Sequence, residues 1–181
     1  MRIVVSGTHA SGKSTLISDF AREHPEYAVL PDPFELVDEA HDAPGASPFA
    51  AQLGLAAERL TSDASRRHLI AERGPLDFLA YLRALEELEL ASLDPAVLER
   101  AEQRTLDALS TIDLLVVLPL NARDRIDVGS DEHLELRETM NDVLLDLIDD
   151  PDVVGDRLTI AELTGTPEVR LAALEELTGA G

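Results

Sequence analysis

A three-layer α/β fold with a five-stranded parallel sheet is predicted by three observations. Short apolar runs alternate with longer segments of helical periodicity, the pattern of repeated strand–helix units. One run, Leu114-Leu115-Val116-Val117-Leu118, is apolar at every position, as a strand buried on both faces of a parallel sheet must be. The chain also starts with a strand, a glycine-bearing turn and a helix in immediate succession. The first strand covers residues 2–6 and the first helix lies near 13–23. Tyr27-Ala28-Val29-Leu30 is a short second strand, His68-Leu69-Ile70-Ala71 a third, 114–118 the fourth, and Leu158-Thr159-Ile160-Ala161 the fifth. Two later helices show their starts, because Asp94-Pro95 and Thr166-Pro167 each set a capping residue before a proline at the first helical position. Leu136, Met140, Val143, Leu144 and Leu147 fall on one helical face, and Pro151 ends that pattern. The Pro-Gly chemistry of His41–Ser47 reads as loop, as does the polar stretch Asn121–Ser130. No repeat or linker divides the 181 residues, so one domain spans 1–181.

The turn after the first strand is Gly7-Thr8-His9-Ala10-Ser11-Gly12-Lys13-Ser14, which fits the P-loop pattern G-x-x-x-x-G-K-[ST]. Lys13 is the only lysine in the chain; every other cationic side chain of this type is arginine. Gly7 and Gly12 let the backbone turn so that successive N–H groups face one concavity and cradle phosphate oxygens. The helix beginning beside Ser14 presents its N-terminus to the same oxygens. Lys13 would reach the β- and γ-phosphates, and the Ser14 hydroxyl is placed to ligate Mg²⁺. The candidate nucleotide-binding residues are Gly7, His9, Ala10, Ser11, Gly12, Lys13, Ser14 and Thr15, with His9 read as a loop residue only. The bland alternative is a glycine turn with an incidental lysine.

Composition narrows the partners. A hydrophobic content of 45% is globular, and no apolar run reaches the roughly 20 residues a membrane helix needs. The second residue already opens the first strand, which argues against a signal peptide. There is no cysteine, hence no disulfide framework and no thiolate metal site. A cytoplasmic location is the default expectation. The net charge of −21 argues against a nucleic-acid partner, which needs a basic surface. That acidity reads as a solubility or halophile-like trait, or as a compositional bias toward Arg, Ala, Leu and Asp.

Further catalytic groups are sought at strand ends. The 114–118 strand ends in Pro119-Leu120, without an acid. Leu69-Ile70-Ala71-Glu72 does end in a carboxylate, followed at once by Arg73. A strand that delivers Glu72 to the carboxyl edge of the sheet sets it beside the P-loop, where ligands of open α/β sheets bind. A surface Glu-Arg pair opening a helix is the alternative. Asp32 sits between Pro31 and Pro33 in stiff, extended backbone; it suits a general base for an attacking hydroxyl, or equally a simple turn former. Phe34 and Phe49 flank this region and read as pocket lining or as core.

G-T-H-A-S-G-K-S-T, then P-D-P-F-E-L near position 32, then A-E-R-G-P-L-D-F-L-A-Y-L at 71–82, resemble the small P-loop kinases. The chain is similar in particular to the nicotinamide-riboside-kinase domain of NadR-type proteins and to the related AAA-type small ATPase/kinase family, cousins of deoxynucleoside and thymidylate kinases. The segment from Glu162 to Leu171 resembles that family's closing L-x-G-[ST]-x-x-x-R, so the likeness spans essentially the whole chain. The resemblance implies a P-loop kinase fold and an ATP- and Mg²⁺-dependent kinase acting on a hydroxyl of a small metabolite, a nucleoside being the natural candidate. It implies that Lys13 and Ser14 handle phosphate and Mg²⁺, that Glu72 serves the metal, and that Arg73 approaches the substrate or the transferred phosphoryl group. Asp32 stands where deoxynucleoside kinases carry a glutamate base, one methylene longer. Arg123 and Arg125 match lid arginines that close over the γ-phosphate, or are solvated loop charges; the family's Asp-Gly-x-Arg lid aligns only approximately here. The loop holding Thr166 and Pro167 would approach the adenine. Related kinases are often homodimers. The competing function is an NTP-hydrolysing switch acting on a protein partner, against which stand the missing acid after 114–118 and the absence of an N-K-x-D element. An inactive nucleotide-binding scaffold is the third reading.

Overall fold

A computed structural model describes residues 1–36, 45–62, 64–120 and 134–179. Five parallel strands, β1 (Arg2–Ser6), β2 (Ala28–Leu30), β3 (Leu69–Glu72), β4 (Leu114–Val117) and β5 (Thr159–Glu162), lie in the order β2-β3-β1-β4-β5. The helices are α1 (Lys13–Glu23), α2 (Ala46–Ser62), α3 (Pro75–Glu87), α4 (Pro95–Leu109), α5 (Leu134–Ile148), α6 (Pro151–Val154) and α7 (Pro167–Thr178), with a 3-10 turn at Pro33–Leu36. In register, Ile3 lies between Ile70 and Leu114, and Val5 between Glu72 and Val116. The first strand is therefore the middle one: the chain leaves it toward β2 on one side, returns to β3, and then passes across β1 to β4 on the other side. That reversal opens a crevice at the carboxyl end of β1.

Period-two alternation divides the strand side chains between two cores. Val4, Leu69, Ala71, Leu115 and Val117 face a larger layer that includes residues of α2, α3, α4, α5 and α6. Ile3, Val5, Ile70, Leu114 and Val116 face a smaller layer with Leu16, Ile17 and Phe20 of α1 and Leu174 of α7. Two-sided burial is what the fully apolar strands require.

Boundaries differ from the sequence reading by small amounts with local causes. β3 and β5 each start and end one residue later, so that Glu72 and Glu162 are their last residues. Tyr27 precedes β2 instead of opening it, and packs edge-on against Phe20 at 5.0 Å. Ala46 and Ser47, expected in a loop, already belong to α2. α5 stops at Ile148, and Pro151 opens α6, with Asp150 accepting from the Asp152 N–H. The start of α4 follows the expected chemistry, Asp94 accepting from the Ala96 N–H. No helix of the described residues is long and apolar enough to cross a membrane.

The end of the sheet away from the crevice is tied by one buried cation. Arg2 donates from Nε to the Thr111 carbonyl at 2.6 Å, from Nη1 to Arg66 at 2.9 Å and from Nη2 to Leu60 at 2.5 Å. These are charge-assisted bonds to three separate segments. Arg2→Met is expected to lower unfolding free energy by about 3 kcal/mol, with Arg2→Lys intermediate. Urea unfolding measures this, and an unchanged midpoint contradicts it.

Candidate active site

The loop from β1 to α1 takes its shape from two glycines. Gly7 has φ +146°, and a Cβ there would sit 2.7 Å from the Leu118 carbonyl oxygen. Gly12 has φ +91°, and a Cβ there would sit 2.9 Å from Nη1 of Arg170. Ala10 also lies in the left-handed region, at φ +51°. Side chains from later elements hold the loop's carbonyls. Arg137 of α5 donates to His9 (2.9 Å) and Ala10 (3.4 Å), and Arg170 of α7 donates to Ser11 (2.9 Å).

Lys13, the first residue of α1, is buried, and its ammonium donates to the Thr8 carbonyl at 2.7 Å. Burial, and after it the neighbouring Arg73, lower its pKa from 10.5 to about 7, against the opposing pull of Asp77, Glu72 and Asp32. Ser14, next along, donates its hydroxyl to Glu72 Oε1 at 2.8 Å. The expected strand-end acid is therefore beside the loop. The described residues hold no group of three or more His, Asp or Glu that could enclose a metal ion. Mg²⁺ asks for less: it keeps several waters and takes one or two protein ligands plus substrate phosphates. A hydroxyl and a carboxylate 2.8 Å apart fit that demand.

Arg73 follows β3 at φ +61°, a conformation that costs a non-glycine residue roughly 1–2 kcal/mol. It is almost fully buried and held on every side. Its Nε donates to Asp32 Oδ2 at 2.7 Å and its Nη1 to the Gly7 carbonyl at 3.0 Å. Its guanidinium lies over the rings of Phe34 and Tyr81, 5.4 and 5.9 Å from their centroids. The other oxygen of Asp32 accepts from the Phe34 N–H at 3.0 Å, so Asp32 is both a turn former and an ion-pair partner. Arg59 of α2 fixes the preceding carbonyl, Pro31, at 2.8 Å. Phe34 and Phe49 join Phe78 and Tyr81 in an aromatic cluster, with Phe49 stacked on Tyr81 at 4.6 Å. One turn along α2 from Phe49, the buried Gln52 has an Oε1 without a partner among the described residues.

Gly7, His9, Ala10, Ser11, Gly12, Lys13, Ser14 and Thr15 thus form one loop and helix start, with Glu72 and Arg73 bonded to it and Asp32 linked to it through Arg73. Thr166 and Pro167 open α7, one turn before the Arg170 that grips the loop. Arg123 and Arg125 lie outside the described residues. Three contributors were missed in sequence: Asp77, Arg137 and Arg170. Arg170 stands in the closing G-T-P-E-V-R segment and Asp77 in E-R-G-P-L-D, so both lay within quoted motifs; Arg137 carried no signal.

The Lys13 shift has a signed consequence for stability. Folded, the amine gives up its proton at about pH 7; unfolded, at 10.5. Below pH 7 the fold bears the full cost of a buried ammonium, and stability rises with pH between the two values. Lys13→Met removes this dependence. The variant should exceed the wild type in stability at pH 6, with the gap closing toward pH 10, in urea midpoints measured across pH; a pH-independent gap contradicts it.

Comparison with known proteins places this geometry. A family model described as "AAA domain" matches residues 2–154. No curated protein matches the chain by sequence. Among solved structures, deoxyadenosine kinase from M. mycoides with bound dATP superposes with a TM-score of 0.69 at 15% identity, over 99% of this chain and 100% of that one. The same enzyme with the products dCMP and dCDP gives 0.71 at 15% identity, over the whole of both chains. Thymidylate kinase from Candida albicans gives 0.63 at 17% identity, over 98% of this chain and 90% of that one. At these identities the likeness is one of fold.

Proposed function

The chain belongs to the AAA-domain family, and on that premise we propose that it is an ATP- and Mg²⁺-dependent kinase that phosphorylates a hydroxyl of a nucleoside. One observation carries the reading: the P-loop and the Ser14–Glu72 pair share a sheet edge with an Asp32–Arg73 ion pair set against aromatic rings. A nucleotide switch needs the first half of that arrangement only. The second half supplies a carboxylate beside apolar surface, where an acceptor hydroxyl can be held. The solved neighbours, named for deoxyadenosine and thymidylate phosphorylation, support the same class.

In this reading Lys13 grips the β- and γ-phosphates, whose charge restores the proton that burial weakens. The loop amides orient the phosphates in line with the acceptor, and positioning of this kind carries most of the catalysis in phosphoryl transfer. Ser14 and Glu72 would hold Mg²⁺, which neutralises charge developing between the β- and γ-phosphates when it is bound. Asp32 takes the hydroxyl proton as the acceptor oxygen bonds to the γ-phosphorus, and the bond from that phosphorus to the β,γ-bridging oxygen breaks to release ADP. Arg73 orients Asp32 through its Nε. Thr166 and Pro167 border the adenine, and Arg123 and Arg125 serve as lid cations. The described arginines near Asp32 are engaged, Arg73 with Asp32 and Gly7 and Arg59 with Pro31, which favours a neutral nucleoside over a monophosphate. Gln52 offers that nucleoside an acceptor for a base N–H.

The test is phosphoryl transfer from γ-labelled ATP across a panel of nucleosides, sugars and amino alcohols. A labelled nucleoside is expected, Lys13→Ala should lower the rate at least about 100-fold, and Asp32→Asn should lower kcat roughly 10²–10⁴-fold with little change in KM for ATP. Free phosphate released without an acceptor identifies an ATPase instead. Wild-type transfer in Lys13→Ala overturns the reading.

A further inference from the structure

Asp77 is a buried acid to which the proposed reaction gives no task. It is wholly inaccessible to solvent, and a carboxylate in that setting is tolerated only when its oxygens are satisfied. Three donors satisfy it. Oδ1 accepts from the Gly7 N–H at 2.8 Å; Oδ2 accepts from the Ser6 hydroxyl at 2.7 Å and from the Gly74 N–H at 2.9 Å. Nη1 of Arg73 lies 3.9 Å from Oδ1. Capping of α3 accounts for the Gly74 bond alone. The other two bonds cross to residues about 70 positions earlier, at the point where β1 becomes the P-loop.

The consequence for Gly7 is specific. Its N–H is taken by Asp77 and its carbonyl by Arg73, so both polar groups of one residue are committed to the segment that opens α3. Gly7 has φ +146°, and a Cβ there would lie 2.7 Å from the Leu118 carbonyl oxygen, so the position admits no side chain. The direction of the following amides, which would face the phosphates, depends on where this residue points. Arg73, which completes the clamp, is itself in a strained left-handed conformation at φ +61°. Such strain persists only where surrounding contacts over-determine it.

We propose that Asp77 is a positioning residue for the phosphate loop: by fixing Ser6 and Gly7 to the start of α3, it sets the loop amides for phosphate and locks them in one frame with Asp32. This rests on the reading of the loop as an ATP site. Asp77→Asn keeps the shape but puts an N–H₂ where one of three donors now finds an oxygen.

ATP titration by calorimetry and amide hydrogen exchange on the free protein together test the proposal. Asp77→Asn is expected to lose roughly 10–100-fold in ATP affinity, the scale seen when a partner that orients a ligating group is removed. It should also raise exchange across residues 7–13, which a cap acting on α3 alone would leave unchanged while residues 75–80 exchanged faster. A folded Asp77→Asn with wild-type ATP affinity and unaltered exchange at 7–13 overturns the proposal. Should Asp77→Asn fail to fold, Ser6→Ala decides, since it removes one of the same bonds and keeps the carboxylate. A several-fold loss of ATP affinity with faster exchange at 7–13 supports the proposal, and wild-type values overturn it. A wild-type chain that ignores ATP sinks the kinase reading, and the exchange pattern then still decides whether Asp77 sets the loop.

Discussion

At Gly7 the chain turns out of β1 with its N–H bound to Asp77, its carbonyl bound to Arg73 and no room for a Cβ beside the Leu118 carbonyl. Those constraints come from α3, from the residue after β3 and from the residue after β4, so they form only when β1 is flanked by β3 and β4. Parallel pairing of β1 with both β3 and β4 brings all three to one point. The loop is in this sense the most non-local part of a short stretch of sequence. Its geometry summarises the topology around it.

Charge is handled locally in a chain of strong overall acidity. The net charge of −21 would repel a triphosphate, yet Lys13, Arg73, Arg137 and Arg170 all approach the loop. Their work is divided. Arg137 and Arg170 bind carbonyls on the loop, drawing off the partial negative charge that would oppose a bound anion. Arg73 is neutralised by Asp32 and braces Gly7. Lys13 alone is left with a weakened proton and a backbone carbonyl as its partner, a poor substitute for phosphate oxygens. Arginine suits the bracing positions because its planar fork can bond two directions at once, as Arg73 does.

Local chemistry made most of the fold readable. The fully apolar Leu114–Val117 run had to be a buried strand, and Asp94-Pro95 had to start a helix. Lys13 and Ser14 follow from their motif spacing, and Glu72 from its place at a strand end. What stayed hidden was non-local. Asp32 read equally as base or turn former because its partner, Arg73, lies 41 residues away. Asp77 stands in the E-R-G-P-L-D segment, but its partners Ser6 and Gly7 lie about 70 residues earlier. Arg137 and Arg170 reach the loop from more than 120 residues downstream. The one-residue shifts of β3 and β5 are of another kind: pairing with neighbouring strands, and not hydropathy, sets where a short strand begins.

Kinase activity requires that the loop grip phosphate. The most direct measurement is a calorimetric comparison of ATP, ADP, AMP and adenosine binding to the purified protein with Mg²⁺ present. Affinity is expected to fall steeply as phosphates are removed, with adenosine weakest by orders of magnitude. Equal binding of all four, or none by any, would contradict it.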